Sequence, residues 1–265
     1  MKKNIDKYGL CVEEYSENKN NAQVYYKRAI GKSPEMEVSK SMAKIINKII
    51  EKDHKVLDVG CATGHFHRSL KKKIKKNFFY TGCDPYDIFL KLGRKAWKKD
   101  KNVNFVKGNI YKLPFKSKSY DIVYSSNVIL HLPEISKPLK ELLRISKEIL
   151  ILRTVVYDVS YKIQLVHNNK WFKPTNVKPK DEFDKNGNPR SFAYFNIHSF
   201  DYLKALLKKL SPKSKIQFIK DNNFSRANIS KSSKNEKRPL ATKIIGNEQF
   251  SGAIMQPHYF VIINK

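Results

Sequence analysis

The chain has 265 residues, of which 53 are Lys or Arg and 24 are Asp or Glu, a formal net charge of +29. A hydrophobic content of 40% and an aromatic content of 12% exclude a wholly disordered chain, and the length suits one large α/β domain or two small ones, able to bury roughly 70% of the surface the unfolded chain exposes. The three cysteines, Cys11, Cys61 and Cys83, have no CxxC spacing, which argues against a disulfide framework or a cysteine metal site and suits a reducing, cytosolic compartment.

No apolar stretch follows the basic start Met1-Lys-Lys, so no signal peptide is expected, and no run nears the roughly 18 residues of a membrane span. Residues 1–32 read as polar and mixed, with Asn18-Lys-Asn-Asn21 marking a loop before Tyr25, Tyr26 and Arg28. Ser33-Pro34-Glu35 predicts a helix start: a cap, a proline at the first position, an acid in the first turn. Val38, Met42, Ile45, Ile46, Ile49 and Ile50 follow at helical spacing, so residues 1–54 read as an N-terminal helical cap. Strands are expected at 55–60, 78–84, 103–106, 120–124 and 148–156, with helices at about 64–74 and 89–97 and another through Leu139, Leu142 and Leu143. This alternation predicts a doubly wound, mostly parallel sheet with helices on both faces, filling residues 55–265.

After Val156 the rhythm breaks. Residues 157–196, rich in aromatics, Asn, Lys and Pro, read as an insert after the fifth strand, and a loop of that length in a compact domain is usually functional. A helix at 199–210 and strands at 215–219 and 258–263 bring the sheet to seven strands, with residues 221–248 expected as a mobile loop.

Most of the chemical information lies in Val56-Leu-Asp-Val-Gly-Cys-Ala-Thr-Gly64. A buried strand ends in a glycine turn and a helix begins at once. Glycine permits close backbone approach to a ligand, and the helix N-terminus offers unpaired N–H groups. A second strand ends at Asp84, 26 residues after Asp58, where a carboxylate can accept two hydrogen bonds from a ribose diol. A dinucleotide fingerprint needs glycine at 60, 62 and 65, but Ala62 and His65 stand at two of those positions, which disfavours a dehydrogenase. The pattern D-x-G-x-G-x-G finds Asp58, Gly60 and Gly64, with Ala62 in place of the middle glycine.

With the later blocks GCDPYD, VKGNIYKLPF and SYDIVYSSNVILHLP, this stretch resembles the class I S-adenosylmethionine-dependent methyltransferases, in their broad small-molecule branch, from about Lys55 to Arg153. The resemblance implies a Rossmann-like fold and S-adenosyl-L-methionine as cofactor. It implies that Asp58, Gly60, Cys61, Ala62 and Gly64 line the methionine half and that Asp84 holds the ribose hydroxyls. Pro85 would pack near the adenine, Asn109 would accept from the adenine amino group where the family usually has Asp, Ile110 would cover the adenine face, and Ser125 would lie near the sulfonium. No metal-ligand spacing is present, no Pro-Cys nucleophile exists, and Ser125-Ser-Asn-Val128 is not the proline-rich block of amino-group DNA methyltransferases.

His131, just beyond the fourth strand, is the candidate general base; the alternative is that it caps or packs the following helix. Glu134, His167 and His198 are poorer candidates. Trp171, Phe172, Phe192, Tyr194 and Phe195 would either form an apolar lid over an acceptor site or anchor the insert to the core, and Tyr25, Tyr26 and Arg28 would close the pocket from the N-terminal side. Two function classes follow: a methyltransferase acting on a small molecule or glycan precursor, and an RNA methyltransferase or basic RNA-binding module on the same fold. The charge bears on the second. Only eight of the 53 basic residues are Arg, so the excess reflects either A/T-rich codon usage or a polyanion partner. If the first three strands run one way across the sheet, right-handed crossovers put Lys71, Lys72, Lys73, Lys75, Lys76, Lys91, Arg94, Lys95, Lys98 and Lys99 on one basic face, suited to weak, salt-sensitive contact with RNA or another polyanion.

Overall fold

In a computed structural model, residues 19–166, 183–189, 192–222, 243–245, 248–250 and 258–265 are described. The helices are α1 (Lys19–Ala29), α2 (Glu37–Ile49), α3 (His65–Lys73), α4 (Asp87–Ala96), α5 (Ser136–Ile145) and α6 (Phe200–Leu210). The strands are β1 (His54–Val59), β2 (Phe78–Asp84), β3 (Val103–Lys107), β4 (Tyr120–Ser126), β5 (Ser146–Tyr157), β6 (Gln164–Val166), β7 (Phe192–Tyr194), β8 (His198–Ser199), β9 (Lys215–Lys220), β10 (Lys243–Ile245), β11 (Glu248–Phe250) and β12 (His258–Asn264).

The main sheet runs β3-β2-β1-β4-β5-β12-β9, with β8 added beside β5. The first five strands are parallel, and β12 runs antiparallel between β5 and β9. The order reverses at β1, so the crevice between the β1 and β4 ends is the topological switch point, where ligands bind in open α/β sheets. The seven expected strands are these seven, and the mixed α/β architecture is as expected.

Alternate side chains along each strand feed two cores. Leu57, Val59, Val123, Leu150, Leu152 and Val261 pack against α5 and α6. Val56, Tyr80, Ile122, Tyr124, Ile151 and Phe260 pack against α2 and α3. Met42 and Ile46 of α2 are fully buried, each stabilising the fold by about 1.5–3 kcal/mol through lost apolar surface. On the same side Phe105 of β3 sits where three glycines meet. A Cβ at Gly64, Gly82 or Gly93 would come within 2.7–2.9 Å of its ring.

Two N-terminal expectations are corrected. Residues 19–29 are helix, because Ala22, Tyr25 and Ala29 recur at helical spacing and Ala22 and Ala29 are buried. The predicted helix start at Ser33-Pro34-Glu35 is not helical; α2 begins at Glu37, since Glu35 turns its carboxylate to the Ser69 hydroxyl (2.6 Å) and to Lys72. Beyond the sheet, β6 pairs with β7 and β10 with β11, both antiparallel. Cys11, His167, Trp171, Phe172 and most of the 221–248 segment lie outside the described residues.

Candidate functional site

Left-handed backbone at Gly60 (φ 83°), Ala62 (φ 48°) and Gly64 (φ 67°) curls the chain between β1 and α3 into a tight turn. The Gly60 and Cys61 N–H groups donate to the Cys83 carbonyl (2.8 and 3.2 Å), tying the turn to β2. A Cβ at Gly60 would lie 2.3 Å from Val128 Cγ2, so only glycine fits where the segment after β4 crosses the turn. Ala62 takes the same left-handed region with a side chain, at a cost of roughly 1–2 kcal/mol, and is held there by its N–H donating to Asp84 Oδ2 (2.9 Å).

Asp84 closes the turn at the end of β2. It is 5% exposed, and its Oδ1 accepts from the Tyr86 N–H (3.1 Å). Burial raises its pKa to about 6, against the two backbone donors, which lower it. Each carboxylate oxygen has a second lone pair, so a diol hydroxyl can be accepted as well. Among the described residues, Thr63 Oγ1 and His65 Nδ1, buried beside the turn, have no hydrogen-bond partner. Burial, with Arg28 nearby, lowers the His65 pKa to about 3, so its ring is neutral. A carboxylate able to take a diol and orphaned polar atoms beside a tight turn fit an adenosyl amino-acid ligand.

Asp58 is the next-to-last residue of β1, two positions before Gly60. It is 3% exposed and accepts from the Tyr80 hydroxyl (2.8 Å). The Tyr124 hydroxyl lies near enough to favour its charge without making a hydrogen bond. Burial dominates and raises its pKa to about 7. Burial, then Asp84 and Asp58, raise both nearby thiols, Cys83 to about 12, so neither Cys61 nor Cys83 is a thiolate near neutral pH.

The other sequence-selected residues also gather at this edge. Pro85 is half-buried after Asp84. Asn109 turns its Oδ1 to the Tyr111 N–H (3.0 Å), and Ile110 is buried in the core on the α5 side. Ser125 is buried and donates to the Val59 carbonyl (2.8 Å), joining β4 to β1. His131 lies on a single 3₁₀ turn, Ile129–His131, with its Nδ1 2.7 Å from the Tyr194 carbonyl. The Glu134 carboxylate caps α5 through the N–H groups of Ser136 and Lys137. His198 is held neutral, its pKa lowered by burial to about 4. Within the insert, Phe192 is buried and the Phe195 ring meets that of His131 edge-on.

Helix α1 covers the turn from the N-terminal side. Tyr25 stacks on His65 (4.7 Å between ring centres), and Ala22 packs with Ala62 and Phe89. Arg28 lies 5.8 Å from the Tyr25 ring centre, while Tyr26 instead faces Lys95.

Sequence reasoning missed three features: the Tyr80 and Tyr124 hydroxyls around Asp58; Asn196, which bonds to the carbonyls of Leu130 and Leu132 on either side of His131; and the buried pair of Arg153 with Asp221 (2.8 Å), in which the guanidinium also donates to Asn127 Oδ1. An arginine inside the apolar run of β5 signals a buried partner, but not which one.

At the opposite edge of the sheet, ligand atoms of His54, Asp121 and Glu148 lie within 4.8 Å of one another. Lys147 bridges the two acids there, and His54 Nδ1 accepts from the Glu51 N–H, so that cluster already has its cation.

Residues 57–149 match the family model described as a methyltransferase domain. An uncharacterized methyltransferase of Schizosaccharomyces pombe is 30% identical over 135 residues, 45% of this chain and 48% of that protein. The cycloartenol-C-24-methyltransferase of Arabidopsis thaliana is 33% identical over 101 residues, 37% of this chain and 30% of its own. The chain thus spans less than half the length of either relative. Among solved structures, phosphoethanolamine N-methyltransferase 2 of Haemonchus contortus, in complex with S-adenosyl-L-methionine, superposes with a TM-score of 0.60 at 13% identity, covering 96% of this chain and 59% of that one. This likeness shows the fold.

Proposed function

We propose that this chain, a class I S-adenosylmethionine-dependent methyltransferase, moves a methyl group onto an oxygen or nitrogen atom of a small molecule or glycan precursor. The observation that carries the reading is the lock between Asp84 and the Ala62 N–H, which preassembles the turn and the carboxylate at the switch point. Bound S-adenosylmethionine supplies a methyl on a positively charged sulfur. The protein's part is to hold the acceptor in line and exclude water. Gly60, Cys61, Ala62 and Gly64 would hold the amino-acid end by backbone, with Asp58 setting the charge beside them. Asp84 would take the ribose hydroxyls, Pro85, Asn109 and Ile110 would bound the adenine, and Ser125 would fix the β4 end beside the sulfur. His131 would take the proton lost by the acceptor atom. Residues 1–54 would cap the site and 157–196 would shape the acceptor side. A cytosolic site of action goes with the free thiols of Cys61 and Cys83, and no described helix is long and apolar enough to cross a membrane.

Titration calorimetry tests this. S-adenosylmethionine should bind and NAD should not. Asp84→Ala should weaken binding by at least about tenfold, the loss of two charge-assisted bonds, with the circular dichroism spectrum kept. Unchanged affinity in that variant overturns the reading.

A second reading, polyanion binding, is favoured by one observation. The order β3-β2-β1 puts α3 and α4 on one face, and a groove of about 370 Å³ lined by Lys71, Ala96, Trp97, Lys99, Asp100, Lys101 and Asn102, with Lys71 paired to Asp100, opens between their C-terminal ends. Affinity for a mixed RNA pool should then fall steeply with salt; affinity indifferent to salt removes it.

A further inference from the structure

Ile129–His131 forms one 3₁₀ turn, and a segment more than 60 residues away is stitched to that turn. The Asn196 N–H donates to the Leu130 carbonyl (2.7 Å), and its Nδ2 donates to the Leu132 carbonyl (2.7 Å). Its Oδ1 accepts from the Ile163 N–H (3.1 Å). One side chain, 3% exposed, thus joins the turn, the segment leading into β6 and the segment leaving β7. The last two are paired by Phe195 N–H to Ile163 and by the reciprocal bonds of Tyr161 and Ile197. The turn is fixed to the ligand edge from the other side by Val128, which fills the space over Gly60.

The registration has a chemical effect. A carbonyl oxygen only accepts, so the contact between His131 Nδ1 and the Tyr194 carbonyl (2.7 Å) requires the proton on Nδ1. In the neutral ring the lone pair then belongs to Nε2. We propose that Asn196 is a positioning residue for His131, holding the 3₁₀ turn against the insert so that the Tyr194 carbonyl fixes the Nδ1–H tautomer and leaves Nε2 as the proton-accepting atom. The use of that atom rests on the methyltransferase reading. As the acceptor's electron pair forms the new bond to the methyl carbon, the carbon–sulfur pair leaves with sulfur. The acceptor's O–H or N–H proton passes to Nε2, and the Tyr194 carbonyl steadies the resulting imidazolium.

The test is a long-range ¹⁵N–¹H correlation spectrum of the full chain, with His131 assigned by loss of its signal in His131→Gln. The expected spectrum shows His131 as the Nδ1–H tautomer. In Asn196→Ala that signature should give way to a tautomer mixture, as the Tyr194 carbonyl no longer holds the proton on Nδ1. S-adenosylmethionine affinity should stay within about twofold of the parent, because the variant lies outside the cofactor turn. An Nε2–H tautomer in the unaltered protein overturns the proposal, and that measurement stands even if Asn196→Ala does not fold. An unchanged tautomer in a folded Asn196→Ala overturns the positioning role. Failure of the unaltered protein to bind S-adenosylmethionine sinks the methyltransferase reading instead, and leaves the tautomer result to decide this one.

Discussion

Asp58 and Asp84 stand at the ends of adjacent parallel strands, and their environments give them different work. Asp84 is satisfied by backbone donors and keeps capacity for a ligand, whereas Asp58 is enclosed with the Tyr80 hydroxyl. Burial moves the Asp58 pKa from 3.8 to about 7. A group that titrates higher folded than unfolded gives the folded state the extra proton between those two values. Its contribution to stability is therefore largest at low pH, declines as pH rises through that window and is flat above it. Asp58→Asn, which keeps an oxygen for Tyr80, should remove a slope worth on the order of 3 kcal/mol between about pH 4 and pH 7. Urea unfolding of both proteins across that range checks it; parallel curves would show that Asp58 titrates as in the unfolded chain. Both acids were legible in the sequence because glycines and strand ends mark their places. The tyrosines were not, since only the register that sets Asp58 beside Gly82 and Tyr124 brings them together.

Helix α4 offers a case where a local rule and packing predict opposite signs. Gly93 lies in the helix interior, where alanine is normally favoured by about 1 kcal/mol. Here a new Cβ would stand 2.7 Å from the Phe105 ring. Overpacking of this kind costs about 1–3 kcal/mol, so Gly93→Ala should lower the melting temperature, and adding Phe105→Leu should recover part of the loss. Thermal unfolding of the single and double variants decides between the two effects. The same contrast explains the helices read badly from sequence. The polar composition of α1 hid its short apolar stripe, and the helix start expected at Ser33-Pro34-Glu35 gave way to the pull of Ser69 and Lys72 on Glu35. Elements with a continuous apolar period, β1, β5 and β12 among them, were legible because burial on both faces leaves one pattern open to them.

Across the whole molecule, charge and topology act separately. The net charge of +29 opposes compaction through mutual repulsion, whereas surface pairs such as Lys71–Asp100 and Lys107–Asp87 contribute about 0–1 kcal/mol each. Repulsion is the larger effect, so raising salt from about 0.01 to 0.15 M, which shortens the screening length from about 30 to 8 Å, should raise the melting temperature. A scanning fluorimetry series in KCl measures this, and a melting temperature that falls with salt would mean that ion pairs dominate. The strand order was legible only in part: alternation implied a parallel sheet, while the place of β12 between β5 and β9 depends on contacts far apart in the chain. The ring of Phe105, lodged among Gly64, Gly82 and Gly93, couples β2, β3, α3 and α4 through one side chain. Positions 82 and 93 have ordinary backbone angles, so the ring, together with Cys61 at 82, is what keeps them bare. Through evolutionary time these sites should drift as a set: lineages that shrink the aromatic become free to gain methyl groups at the other two, and correlated substitution among them would be the historical imprint of that wedge.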